Sequence, residues 1–103
     1  MKKVLALGLS SVFVLALAPV DKSTIRLHVI DSATKKNIGQ AAITYDKNFK
    51  GLTANDGGFL IYSQPVGSSH YLVVYKKGYK AYSNPAFVID QKHTSVDIAL
   101  IAQ

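Results

Sequence analysis

The sequence has no cysteine and no glutamate among its 103 residues. Without cysteine the chain can form no disulfide, no thiol nucleophile, no thiolate metal site and no lipidated-cysteine anchor. Without glutamate, a paired-carboxylate glycosidase site would depend on two of six scattered aspartates. A calcium loop would likewise lack the acid that usually closes it. From these absences we expect no metal site, no cofactor and no carboxylate catalysis.

Other signatures of chemistry are also missing. The sequence contains no Gly-x-Ser-x-Gly motif, no phosphate-binding glycine loop and no nucleic-acid recognition motif. The three histidines, His28, His70 and His93, are not spaced as metal ligands. We therefore predict a protein that is not an enzyme and that has no nucleic-acid partner.

The N-terminus has the layout of a secretory signal peptide. Lys2 and Lys3 precede an almost wholly apolar run from Val4 to Leu17, and Ala16-Leu17-Ala18 is a small-x-small triplet. Pro19 disfavours cleavage directly after this triplet, so cleavage two residues earlier is a second option. An uncleaved membrane anchor is the alternative, although the apolar run is shorter than the roughly 20 residues that a spanning helix prefers.

We divide the chain into a leader, residues 1–20, and one exported domain, residues 21–103, of the bacterial periplasm or the extracellular space. From Asp21 onward there are ten Lys and Arg and six Asp, a net charge of +4 with neutral histidines. Scattered basic residues favour solubility and also attract anionic partners. We expect the partner to be a protein, an acidic glycan or the envelope surface, with no membrane span once the leader is cleaved.

Beyond residue 20 the pattern is one of short strands. Residues 24–30 alternate between apolar side chains on one face and Arg26 and His28 on the other, which is the period of a half-buried strand. Further strand candidates are residues 41–45, 50–53, 59–62, 71–75, 79–82, 87–89 and 95–101. About seven short strands with turn signals every 8 to 12 residues predict an all-β, seven-stranded sandwich of the Greek-key type.

Three turn signals separate these candidates. Asn55-Asp56-Gly57-Gly58 predicts a hairpin turn, because glycine accepts the positive φ that tight hairpins require. Pro65-Val66-Gly67 and Lys76-Lys77-Gly78 predict two further turns. We assign structural roles to the residues of these turns and not ion binding, which would need more oxygen ligands.

The order of these elements resembles the carboxypeptidase regulatory-like family of transthyretin-like β-sandwiches. The resemblance rests on VIDSATKKNIGQAAITY, GLTANDGGFLIYSQPVG and YLVVYKKGY, and it covers nearly all of residues 24–101. Lys35-Lys36-Asn37 departs from the pattern, which often has glycine in this loop. The positions that match are Thr53, Asp56, Gly57, Phe59, Pro65, Gly67, Gly78 and Tyr79. The resemblance implies a fold and does not specify a function.

One member of the wider transthyretin-like group is an enzyme, the 5-hydroxyisourate hydrolase. LHVIDSATKK resembles its opening motif, and His28 lies where its first catalytic histidine would be. However, Gly58 stands in place of the arginine that follows the enzyme's Asp-Gly, and residues 99–103 do not match its terminal Tyr-Arg-Gly-Ser. Because a histidine without a positioned partner is not an acid–base system, hydrolase activity is a remote alternative.

The segment Lys76-Lys77-Gly78-Tyr79 is the candidate binding site. At one end of a sandwich it would present two cations and an aromatic ring, where recognition is often built. The alternative is that Tyr79 belongs to the core and that Lys76 and Lys77 only keep the turn soluble. The sequence thus predicts a binding or accessory module, with a structural subunit of an envelope or surface assembly as the alternative.

The tyrosines offer a second possible contact surface. Tyr71, Val73 and Tyr75 lie on one face of their strand candidate, opposite Leu72 and Val74. One of these faces must point away from the core of a sandwich unless something covers it. Exposed tyrosines suit contact with a protein or a glycan, and the alternative is cross-strand packing within the domain.

Overall fold

The computed structural model describes residues 21–103, so the predicted leader lies outside the described residues. This part of the chain is all-β and contains no helix. Among these residues, no helix has the length and apolarity needed to cross a membrane. The seven strands are β1 (Lys22–Asp31), β2 (Ala42–Tyr45), β3 (Asn48–Leu52), β4 (Gly58–Pro65), β5 (Ser69–Tyr75), β6 (Tyr82–Val88) and β7 (Ser95–Leu100).

The strands form two sheets that enclose one core, as in a β-sandwich. The three-stranded sheet has the order β4-β1-β7, and the four-stranded sheet has the order β3-β2-β5-β6. Strand β1 pairs antiparallel with β4 and parallel with β7. The buried apolar side chains of both sheets form a single cluster. The predicted all-β class with two packed sheets is therefore confirmed.

The alternation predicted for β1 is present in the structure. Ile25, Leu27 and Val29 are buried, whereas Arg26 and His28 lie on the partly exposed outer face of the three-stranded sheet. Because side chains alternate across a strand, a run with period two fixes which face meets the core.

One pair of strand predictions was wrong. Residues 79–82 and 87–89 were expected to be separate short strands, but a single strand, β6, runs from Tyr82 to Val88. Pro85 lies within this strand. Because β6 is an edge strand of its sheet, the missing N–H of a proline is tolerated there.

The Asp56-Gly57 segment is a turn, but the prediction of a hairpin was wrong. The Gly57 N–H donates to the Ala54 carbonyl at 2.8 Å, and Gly57 has a φ of 79°. Strands β3 and β4 on either side of the turn belong to different sheets and do not pair. Turn residues allow the chain to reverse, but they do not determine which sheet receives the next strand.

Thr53, just before this turn, is the buried polar side chain among the described residues, with 1% exposure. Its hydroxyl donates to the Ile38 carbonyl and accepts the Ala41 N–H, each at 2.9 Å. The Thr53 N–H also donates to the Ala41 carbonyl at 2.9 Å. One side chain therefore satisfies two backbone groups of the loop that leads into β2.

Candidate binding cleft

One side of the sandwich is closed by contacts between the sheets, and the opposite side carries an open cleft. Strands β6 and β7 contact each other across the sheets. On the opposite side, β3 and β4 flank an open cleft with a volume of about 1240 Å³. Each of these two strands is an edge strand, paired on one side only within residues 21–103. An edge strand presents unpaired N–H and C=O groups.

The walls of the cleft carry exposed apolar side chains. Leu52 lies on the β3 side, and Leu60 and Tyr62 lie on the β4 side. All three are exposed large hydrophobic residues. Leu60 and Tyr62 alternate along β4 with Phe59 and Ile61, which pack towards the core. The cleft is therefore bordered by exposed apolar residues and by the backbone hydrogen-bonding groups of two edge strands.

Charges of both signs line the same cleft. Arg26 Nη2 lies 3.3 Å from Asp56 Oδ2, in a pair exposed to solvent. Asp56 Oδ1 accepts the Gly58 N–H at 2.8 Å. This hydrogen bond and the nearby Arg26 charge hold the pKa of Asp56 below its ordinary value, although desolvation acts in the opposite direction. Lys50 also lines the cleft, and within the described part of the chain no hydrogen bond or ion pair engages its ammonium group.

The three residues predicted to bind lie elsewhere, and two of them are engaged by other contacts. The Lys76 ammonium donates to the Gly39 carbonyl at 3.1 Å, and the Tyr79 hydroxyl donates to Asp31 Oδ2 at 2.9 Å. The Tyr79 ring packs against the core. Lys77 is exposed. The turn does not present the three side chains as one patch, and its role in binding stays a prediction.

Asp31 accepts hydrogen bonds from the turn that follows β1 and from Tyr79. The Thr34 N–H, the Tyr79 hydroxyl and the Ala33 N–H all donate to Asp31, and together they lower the pKa of its carboxyl group. The same contact with the carboxylate raises the pKa of Tyr79. Asp31, the last residue of β1, is therefore hydrogen-bonded both to the turn that follows it and to Tyr79, which is distant in sequence.

A second polar cluster joins two turns at the end of the sandwich. His70 Nδ1 lies 2.7 Å from Asp46 Oδ2, and His70 Nε2 lies 2.7 Å from Ser68 Oγ. Asp46 Oδ1 accepts the Tyr71 N–H at 2.9 Å. The Tyr45 ring stacks on the imidazole with a centroid distance of 4.7 Å. Burial and the Asp46 charge raise the pKa of Tyr45 to about 12.

The order of contacts in this cluster, Asp46 to His70 to Ser68, is that of a nucleophilic triad. The Ser68 hydroxyl, however, also donates to the Pro65 carbonyl at 2.6 Å. The backbone N–H groups of Gly67 and Ser68 donate to carbonyl oxygens, so neither is free to stabilise an oxyanion. The contacts favour a clasp that ties the β2–β3 turn to the β4–β5 turn.

The other two histidines also have carboxylate neighbours. His28 Nδ1 lies 3.2 Å from Asp97 Oδ1, and its Nε2 lies 2.7 Å from Asn37 Oδ1. His93 Nδ1 lies 2.6 Å from Asp90 Oδ2. Each pair is separate, and residues 21–103 contain no group of three side chains that could hold a metal ion.

Sequence reasoning missed Leu60, Tyr62 and Lys50 as surface features. The available signal was the run Phe59-Leu60-Ile61-Tyr62, which is apolar on both faces of its strand. A half-buried strand needs apolar residues on one face only. The second apolar face therefore indicated an exposed contact surface.

No family model matches the chain, and no curated protein matches it.

Proposed function

We propose that this protein is an exported, non-catalytic binding or accessory module of the bacterial periplasm or cell surface. The observation that carries the proposal is the open cleft between the edge strands β3 and β4. It combines apolar walls with two unpaired strand edges among residues 21–103. The basic and apolar N-terminal segment, with its small-x-small triplet, supports export.

The partner that best fits the cleft is an extended protein segment. Such a segment can add to a strand edge through main-chain hydrogen bonds, while its alternate side chains fill apolar pockets. The Lys50 ammonium group would favour an acidic residue at one position of the segment. An acidic glycan is the other candidate, because it would use Lys50 and Arg26 without needing the strand edges.

We also propose that the fold is a transthyretin-like sandwich of the Greek-key type, in the carboxypeptidase regulatory-like family. The roles of two motif residues support this assignment. Thr53 satisfies buried backbone groups, and Gly57 lies where a side chain does not fit. Both positions belong to the motif on which the resemblance rests.

Two other functions are kept as alternatives. A structural subunit of an envelope or surface assembly is favoured by the same strand edges, which could pair with another subunit. A hydrolase of the 5-hydroxyisourate type rests on His28 alone, and its nearest polar neighbours are Asp97 and Asn37.

A peptide-selection experiment tests the proposed function. A phage library of random extended peptides is selected on the full chain, and the bound peptides are mapped by amide chemical shifts and hydrogen exchange. We expect acidic peptides with alternating apolar residues that protect amides of β3 or β4. Leu60→Ser and Lys50→Ser should each weaken their binding about tenfold, whereas Val88→Ser, on a distant exposed strand position, should not. Peptides that bind equally well to all three variants would contradict the cleft as the site.

A further inference from the structure

The outer face of the four-stranded sheet is apolar and exposed. Phe49 and Tyr75 are 65% and 48% exposed, and Leu52, Tyr71 and Val88 are also exposed large hydrophobic residues. The strand register places these side chains on one surface. Leu52 and Tyr75 both pair with Ala42, and Phe49 pairs with Thr44. Since paired residues lie on the same face of a sheet, they form one continuous surface, which we call the tyrosine face.

The tyrosine face is also uncharged. The four strands of this sheet contain one lysine and no arginine or aspartate, and that residue, Lys50, lines the cleft. The imidazole of His70 turns to the inner side, where it stacks on Tyr45. The outer face of the three-stranded sheet is different, because it carries Arg26, His28 and Asp97.

The charge distribution favours a second copy of this chain as the partner of the tyrosine face. Residues 21–103 have a net charge of +4, so two copies repel each other over most of their surfaces. A two-fold interface brings the same patch of both copies together. An uncharged patch brings no like charges together in that arrangement. An acidic partner would be drawn to the basic surfaces instead.

The size of the face sets the expected affinity. Four strands about 4.8 Å apart and about 20 Å long present a surface on the order of 400 Å². Covering it on two copies would bury about 800 Å² in total, which is at the low end of interface sizes, where weak and transient association is found. An apolar patch of this size is comparable with the largest patch on a typical monomer, and such patches are often functional.

We infer that the protein self-associates into a two-fold dimer by stacking the tyrosine faces of two copies, with a dissociation constant in the micromolar range. Leu52 borders both this face and the proposed cleft, but Phe49 and Tyr75 do not line the cleft. The inference is therefore tested independently of the cleft at these two residues. Because the two copies repel each other, added salt should tighten the dimer. Binding through lysine contacts would instead weaken as salt screens the charges.

Sedimentation velocity on the full chain, with its N-terminus established by intact mass, tests the inference. The wild type is measured between about 5 and 500 µM, at low and high salt. Tyr75→Lys adds a cation to the face of each copy on the inner strand β5, and Phe49→Lys adds one on the edge strand β3. Tyr62→Lys is the matched control, because Tyr62 is an exposed strand tyrosine on the other sheet. Circular dichroism establishes that each variant is folded.

We expect the wild type and Tyr62→Lys to dimerise with the same constant, more tightly at high salt. Tyr75→Lys and Phe49→Lys should each weaken the dimer by at least about tenfold. If Tyr75→Lys fails to fold, Phe49→Lys alone carries the test. A wild type that stays monomeric up to about 500 µM would overturn the inference, as would a dimer that neither variant changes. If the protein stays monomeric and binds an apolar dye only when Tyr75 is intact, the face contacts a different partner. That result would also overturn the inference of a dimer.

Discussion

Gly57 lies directly against the backbone of Val29. The Val29 N–H donates to the Gly57 carbonyl at 2.8 Å, and a Cβ atom on residue 57 would collide with the Val29 carbonyl oxygen. The turn between β3 and β4 is therefore anchored on β1, the central strand of the three-stranded sheet. This contact fixes the turn at the point where the chain passes from the four-stranded sheet to the three-stranded sheet.

Replacing Gly57 separates backbone strain from packing. Gly57→Ala should lower the free energy of unfolding by roughly 2–4 kcal/mol, because it adds a collision to the strain of positive φ. Gly67 is the matched control, since its φ is 88° and a Cβ atom there meets nothing within 4 Å. Gly67→Ala should cost only about 1 kcal/mol. Equal losses in urea unfolding would show that φ alone matters at both positions.

Thr53 gives a test of the buried hydrogen bonds. Thr53→Val keeps the shape of the side chain but leaves the Ile38 carbonyl and the Ala41 N–H without their partner. We expect a loss of about 1–3 kcal/mol in the free energy of unfolding. Thr44→Val, at a partly exposed position of β2, should change it by less than about 0.5 kcal/mol. Chemical denaturation of both variants checks this, and a silent Thr53→Val would mean that water replaces the hydroxyl.

The ionisation of Asp46 makes the stability of the fold depend on pH. The hydrogen bonds from His70 and from the Tyr71 N–H lower the pKa of Asp46 from its ordinary value of 3.8. A carboxyl whose pKa is lower in the folded state stabilises the fold above its unfolded pKa, and this stabilisation is lost as the pH falls through the folded pKa. Asp46→Asn should therefore be less stable than the wild type near neutral pH.

The difference between Asp46→Asn and the wild type should shrink as the pH falls below about 4. Melting temperatures measured between about pH 2 and 7 check this, and Asp21→Asn controls for the change in net charge. A difference that stays constant over the whole range would assign the loss to packing and not to ionisation.

The predicted binding turn can be tested at Lys77, which is the exposed member of the set. Lys77→Ser should not shift the melting temperature, and it should elute from a sulfated-glycan resin at lower salt than the wild type. Lys92→Ser, in a different exposed loop, removes the same charge and serves as the control. If the two variants elute together, net charge and not this turn governs retention. Tyr79→Phe, by contrast, should lower the melting temperature, because it removes the hydrogen bond to Asp31.

Export is tested at the N-terminus. Because Lys2 and Lys3 precede an apolar run that ends in small residues, protein recovered from its native host should begin between Leu17 and Asp21. Intact-mass measurement checks the expected start. A mature protein that still begins at Met1 would favour the membrane anchor.

The sequence was sufficient for the β1 alternation and for the positions of most strands, because period two and turn residues are local signals. It was not sufficient for the β2–β3 hairpin, whose turn is Asp46-Lys47. Both residues have positive φ, 51° and 69°, but neither is the glycine that would have indicated such a turn in the sequence. The side-chain contacts of Asp46 with His70 and Tyr71 accompany this conformation, and they join residues that are far apart in sequence.

The candidate site was less accessible to sequence reasoning than the fold. The cleft exists because β3 and β4 enter different sheets, and the turn between them was expected to make a hairpin. The cationic turn at Lys76 was conspicuous in sequence, but the Lys76 ammonium group reaches the Gly39 carbonyl across the domain. The sheet that each strand joins is decided by contacts between residues distant in the chain, and no local sequence motif indicates it.

The pairing of β1 with β7 has a consequence for how the domain forms. Among residues 21–103, the first strand along the chain lies at the centre of its sheet, and its parallel partner, paired from Arg26↔Ser95 to Asp31↔Leu100, is the last. The pairing of β1 with β7 cannot form until β7 has left the ribosome, so the three-stranded sheet is completed late in synthesis of this domain. A domain that folds only after its last strand has been made can still pass, unfolded, through a narrow translocation pore.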